Sequence, residues 1–231
     1  MISGAKLFLV TSMAIDKETA LKMTEDYVKR ALSSECTGHD WWHSHRVRRN
    51  AVRICKEEGG DLFVVELAAL LHDISDWKFN SGDDLAGAMI AREWLERMNL
   101  DEAVIQHVSE IISDMPFRGD GVESKMKTKE GMIVQDADRL DAIGAIGIAR
   151  AFAYGGHKRR MIYDPSVKPQ TYKSFDDYKK NKSHTINHFY EKLLLLKDIM
   201  NTETAKKMAE ERHEFMNLFL ERFLDEWNGK Y

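Results

Sequence analysis

The stretch from Leu62 to Leu71 constrains this chain more than any other. It reads LFVVELAALL, bounded by Gly59-Gly60 before it and by His72-Asp73 after it. Wound as a helix, it carries apolar side chains almost all round rather than along one stripe. A helix of that kind must be enclosed by other elements, so it belongs at the centre of a fold. The reading is therefore a central helix from Asp61 to about Ile74, wrapped by a shell of amphipathic helices.

The remaining sequence supplies that shell. Asp16 is placed to cap a first helix to about Ser34, with Ala20, Met23, Tyr27 and Val28 on one face. A second starts near His39 or Asp40 and sets His43 on the same side as Val47, Ala51 and Ile54. Ser81 or Asp83 opens a fourth helix, and Asp101 a fifth that carries His107 near its apolar face. A polar loop with Pro116, Gly119 and Gly121 as breakers follows. One sixth helix is predicted from Gly131 to Tyr154, then two closing helices over about His184–Met200 and Thr202–Trp227. Only three prolines occur, beside long runs rich in Glu, Lys, Ala and Leu. The fold class that results is all-α, in a single domain over residues 1–231. Within it lie a core at about 39–155, an aperiodic basic segment at about 156–183 and closing helices at about 184–228.

A net charge of -4 gives no reason to expect generic nucleic-acid binding, which is driven by clustered cations. The apolar run in the first 15 residues is too short to span a bilayer and has no clean cleavage site, so it reads as a leader strand or loose arm. No membrane association is expected. Cys36 and Cys55 form no CxxC pair, which fits a reducing cytoplasm better than a disulfide framework. A homodimer is compatible with the chain, although nothing in the sequence fixes the oligomeric state.

Two imidazoles and several carboxylates stand beside apolar sequence, where unpaired polar groups are costly. His43 and His72 offer nitrogens; Asp73 and Asp138 offer anionic oxygens. That donor set suits one divalent ion, of Mn, Mg, Co, Ni, Fe or Zn type, with room left for water and a substrate oxygen. Adjacent His72 and Asp73 point about 100° apart on a helix, so both reach one ion only near the helix end. Asp76 follows Asp73 by three residues and is the candidate to orient water or protonate a leaving group. Arg46, Lys78 and Arg118 are candidates to hold phosphate oxygens. Each residue also has an ordinary reading. His107 divides evenly between a site role and a buried structural role. Lys192, a candidate for substrate binding, has as its ordinary reading a surface or interhelix group. Asp136, Asp138 and Asp141 could cap or pair with Arg139 and Arg150. Residues 156–182 hold eight Lys/Arg against three Asp, with Tyr163, Tyr172, Phe175 and Tyr178 interleaved; this is either a solvated loop or a lid over phosphates.

The ordered set resembles the HD-domain metal-dependent phosphohydrolases, whose pattern is H…HD…D on a helical bundle. Asp40 to Val47 matches a D-x-x-H-x-x-R-V form of the first motif, His72-Asp73 matches the naming doublet, and Asp138 in QDADRLD matches the last ligand. Asp136 is the rival for that last position. The likeness extends from about residue 16 to 228, toward a bacterial subgroup of HD-superfamily hydrolases. It implies a carboxylate three residues after the doublet for handling water, here Asp76. With His107 alone between doublet and last Asp, it implies one metal rather than two. Substrates implied are small phosphorylated molecules, nucleotides above all: phosphomonoesters, or triphosphates cleaved to monophosphate and pyrophosphate. Two other classes stay in view: a non-catalytic nucleotide or metal sensor, and an iron oxygenase on the same scaffold.

Overall fold

A computed structural model describes residues 15–33, 38, 40–74, 86–115, 126–170 and 183–230. Among these the chain forms nine α-helices, one 3-10 helix and no strand, so the fold is all-α. The first 14 residues, Cys36, Asp76, Trp77, Lys78, Ser81, Asp83, Pro116, Arg118, Gly119, Gly121, Tyr172, Phe175 and Tyr178 lie outside the described residues.

Helix α1 spans Lys17–Ala31, with Asp16 accepting from the Thr19 amide at its start. Helix α2 spans Trp41–Glu58, capped by Asp40 and ended by Gly59. Helix α3, Leu62–Leu71, begins where Asp61 accepts from the Phe63 amide at 2.9 Å. All but Leu62 and Glu66 of its residues are buried. It packs against α1, α2, α5 (Glu102–Asp114) and α6 (Lys129–Asp141), the enclosure its composition demands. Arg48 fastens three of these together, bonding Glu25 of α1 and Glu66 of α3 at 2.8 Å each. Helix α4, Ala86–Arg97, lies against α5. Its Trp94 stacks on Tyr27 at 4.1 Å and donates to Thr24.

Two predicted helices are each divided. The expected Gly131–Tyr154 helix ends at Asp141, and α7 begins at Gly144 and runs to His157. Ile143 is extended and Gly144 has φ of 74°, a left-handed conformation that favours glycine. The side chain of Arg212 also occupies the space a Cβ at Gly144 would take, with Cγ 2.9 Å away. The expected His184–Met200 helix is α8, Thr185–Glu191, followed by a 3-10 helix over Leu193–Ile199. Lys192, at φ -146° and ψ -57°, breaks the α geometry between them. Helix α9, Glu203–Trp227, closes the chain against α2, α6 and α7. Among the described residues no helix is long and apolar enough to cross a membrane.

Candidate metal centre

Three helix termini meet at one corner. Asp40 accepts from the His43 amide at 2.9 Å, which fixes the first turn of α2 and turns the His43 ring inward to complete burial. His72 is the C-terminal cap of α3, still in right-handed helical geometry, and Asp73 follows it in the turn. Asp138 reaches the corner from the last turn of α6 and stays half-buried.

Their geometry selects what can sit between them. His72 Nδ1 lies 2.9 Å from the Ala69 carbonyl, and His43 Nδ1 lies 2.7 Å from Asp141 Oδ2. Both partners accept, so each Nδ1 carries a proton and Nε2 is the atom each ring turns toward the corner. Those two Nε2 atoms are 3.2 Å apart. Asp73 Oδ2 lies 3.3 Å from His43 Nε2 and 3.5 Å from His72 Nε2. Asp138 Oδ1 lies 3.3 and 3.9 Å from the same two atoms. Lone pairs therefore converge, and only a proton or a cation resolves their repulsion. Donors bound to one ion at about 2.0–2.2 Å sit roughly 3.0–3.5 Å apart in tetrahedral or octahedral arrangements; every spacing among His43, His72 and Asp73 falls in that range, as does His43 to Asp138, while Asp138 to His72 is longer at 3.9 Å. His43, His72 and Asp73 each offer a ligand atom within 4.8 Å of the others and could hold a metal ion. The mixed nitrogen and oxygen donors suit a divalent one.

The electrostatics agree. Burial and the Arg150 charge oppose protonation of His43, yet hydrogen bonds to Asp138, Asp141 and Asp73 outweigh them and push its pKa up to about 10. Burial opposes ionisation of Asp138 as well, but the His43 hydrogen bond and the His72 charge hold it down to about 2.

Asp136, the rival for the last ligand, is fully buried and faces elsewhere. Its carboxylate accepts from the Asn201 amide at 2.9 Å, Asn201 Nδ2 at 2.8 Å, the Thr202 amide at 2.8 Å and Thr202 Oγ1 at 2.9 Å. Thr202 is the N-terminal cap of α9, so Asp136 secures the start of that helix. Arg46 gives Nε and Nη2 to Asp141 at 2.7 and 3.0 Å, and Arg150 gives Nη1 to the same carboxylate at 2.9 Å.

His107 is not brought to the corner. Its Nε2 lies 3.8 Å from Glu130, whose carboxylate accepts from the Asp61 amide. That is the N-terminal end of α3, whereas His72 marks the C-terminal end, about 15 Å along the axis. Lys192 stands half-buried at the end of α8, close enough to His188 to act on its charge. Asp76, Lys78 and Arg118 lie outside the described residues. Sequence reasoning gave Asp141 and Arg150 no part in the site beyond mutual pairing. A signal was present: Asp141 follows Asp138 by three residues, placing it one turn on along the same face.

The chain is similar to known proteins over most of its length. A family model for the HD domain matches residues 41–143. YpgQ of Bacillus subtilis (strain 168) is 40% identical over 195 residues, covering 84% of this chain and 87% of its own. A crystal structure of an HD-superfamily hydrolase from Bacillus thuringiensis superposes with a TM-score of 0.73 at 43% identity, covering 92% of this chain and 99% of that one. YpgQ in complex with ADP gives a TM-score of 0.71 at 38% identity, over 91% and 95% of the two chains.

Proposed function

The chain belongs to the HD superfamily of hydrolases, and we propose that it is a divalent-metal-dependent phosphohydrolase acting on a nucleotide or a similar small phosphate ester or anhydride. One observation carries this reading: the Nε2 atoms of His43 and His72 face each other at 3.2 Å, with carboxylate oxygens of Asp73 and Asp138 beside them. His43, His72, Asp73 and Asp138 are the proposed ligands. A divalent ion supplies Lewis acidity toward a phosphoryl oxygen and toward water.

The protein's own groups handle the substrate. Asp76 is assigned the proton, through the attacking water or the leaving group, and Lys78 and Arg118 the phosphate oxygens. Basic groups also gather where α7 ends. Lys158 and Arg160 lie 5.5 and 5.7 Å from the Tyr154 ring centre. Burial, together with the charges of Lys192 and Arg160, pushes the His188 imidazole down to about 3. Tyr154 follows Arg150 by one helical turn, which sets this patch on the same face of α7 as Arg150. A cationic patch of this kind favours an anionic substrate. The ADP bound to YpgQ supports a nucleotide as the class.

The test is a screen of nucleoside mono-, di- and triphosphates with Mn, Mg, Co and Ni, scoring phosphate and pyrophosphate separately. Pyrophosphate from triphosphates would identify attack at the α-phosphorus; phosphate alone would identify a phosphomonoesterase or terminal anhydride cleavage. His72→Ala or Asp73→Ala should abolish metal binding and turnover together, while Asp76→Asn should keep the metal and slow turnover. Tight nucleotide binding with no product under any metal would sink the hydrolytic reading in favour of a sensor.

A further inference from the structure

Asp141 is the most heavily engaged side chain near the corner, and the mechanism above gives it nothing to do. It is the last residue of α6 and 2% exposed. Its Oδ1 accepts from Arg46 Nε at 2.7 Å. Its Oδ2 accepts from His43 Nδ1 at 2.7 Å, Arg46 Nη2 at 3.0 Å and Arg150 Nη1 at 2.9 Å. Arg150 Nη1 also reaches the Asp141 carbonyl at 3.2 Å. Four side-chain N–H donors reach this carboxylate, one on Oδ1 and three on Oδ2. The donors come from two turns of α2 and one of α7, so the carboxylate is held by elements far apart in the chain.

We propose that Asp141 is the positioning residue of the metal centre, and that Arg46 and Arg150 act through it rather than on substrate. This rests on the metal reading proposed above. The Asp141 carboxylate can only accept, so it keeps the His43 proton on Nδ1 and leaves Nε2 turned toward His72, Asp73 and Asp138. A single hydrogen bond would leave the ring free to tilt about it. The Arg46 fork removes that freedom by fixing the plane of the carboxylate, since two N–H groups of one rigid guanidinium bond its two oxygens. Arg150 closes the remaining side, and its own side chain is backed by Gly38, where a Cβ would come 3.3 Å from Nε. Arg46 commits its Nε–Nη2 edge to Asp141. The proposal gives it a role in support of His43 in place of the phosphate contact expected from sequence.

The experiment uses the full chain and compares wild type with Asp141→Asn, Arg46→Lys and His72→Ala. Mn2+ affinity is measured by calorimetry, folding by thermal melts of the metal-free protein, and KM and kcat at saturating Mn2+. Asp141→Asn should weaken Mn2+ binding by roughly 10–100-fold, the usual effect of losing a carboxylate behind a ligating histidine. Arg46→Lys, which cannot form the fork, should weaken it in the same direction while leaving KM at saturating metal unchanged. Nitrogen-15 NMR of histidine-labelled, Zn2+-loaded wild type should show His43 protonated at Nδ1, an arm that needs no variant to fold. Wild-type Mn2+ affinity in both Asp141→Asn and Arg46→Lys, or a rise in KM alone for Arg46→Lys, would overturn the assignment. So would a His43 proton on Nε2. Failure of the metal reading itself looks different: His72→Ala would then bind Mn2+ as wild type does.

Discussion

Asp136 and Asp138 are two residues apart, both are carboxylates, and the structure gives them opposite work. Replacing Asp136 by alanine strips the acceptor from four donors: the Asn201 amide and Nδ2, and the Thr202 amide and Oγ1. Hydrogen bonds to a charged group contribute about 1.5–3 kcal/mol each when intact, so a gross loss of roughly 6–12 kcal/mol is the ceiling. Two effects reduce it. Burial raises the Asp136 pKa despite those bonds, so the ionised carboxylate carries a desolvation cost that alanine removes. Water can also enter the space left by the carboxylate and satisfy part of the exposed set. A net loss of about 3 kcal/mol is the expectation, which for a chain of this size lowers the melting temperature by roughly 6–12 °C. Asp138→Ala should instead remove metal binding, which Asp136→Ala should keep. Scanning calorimetry with chelator, paired with metal stoichiometry on the same preparations, reads both effects. If Asp136→Ala melts with wild type and binds no metal, the two assignments are exchanged and the geometry argued for the corner is wrong.

Other outcomes follow from the same network. Asp138 and Asp141 are both held below the 3.8 of a free aspartate, Asp141 because the His43, Arg46 and Arg150 partners outweigh the penalty of burial. Groups with depressed folded pKa values stabilise the protein above their unfolded pKa and lose that contribution as the pH falls. In chelator, thermal melts should therefore drop between about pH 5 and pH 2, with a shallower drop in Asp141→Asn; identical slopes would remove Asp141 from the account. Gly144→Ala should cost about 1–2 kcal/mol from left-handed backbone alone, and more through displacement of the Arg212 side chain. A melt equal to wild type would mean that the α6–α7 break is not conformed as described.

What was legible in the sequence was local or periodic. The α3 run announced a buried helix because no partial exposure could accommodate it, and Asp40 announced the start of α2 because a cap needs only its own first turn. The side chains that meet at the corner could be picked out by residue type and order, because imidazoles and carboxylates beside apolar sequence need partners. The misread elements depended on distant chain. Residues 131–154 keep a helical period through Ala142 and Ile143, and what ends α6 is Arg212, arriving from α9 to sit against Gly144 and bond the Leu140 carbonyl and Asn50. LLLLKDI looks helical by composition, yet it winds as 3-10 once Lys192 has left α geometry. His107 lies on a face that does meet α3, but which end of α3 it meets is set by how α5 crosses it. Asp141 is an intermediate case: the one-turn spacing from Asp138 was visible, while its four donors come from two other helices.

The charges around His43 also argue for an order of binding. Without an ion, protonated His43 with Arg46 and Arg150 balances the carboxylates of Asp73, Asp138 and Asp141. Exchange of the His43 proton for a dication leaves the corner one unit positive, in a half-buried setting where attraction for a phosphate is weakly screened. Near neutral pH, metal uptake should therefore release about one proton from His43, which calorimetry in buffers of different ionisation enthalpy reports. A nucleotide should in turn bind the loaded protein more tightly than the metal-free one. ADP titrated at fixed ionic strength, with Mn2+ and then with chelator, separates the two states. Equal affinity would mean that Arg160 and Lys192 recognise the anion by themselves, and that the charge at the metal corner plays no part in capturing it.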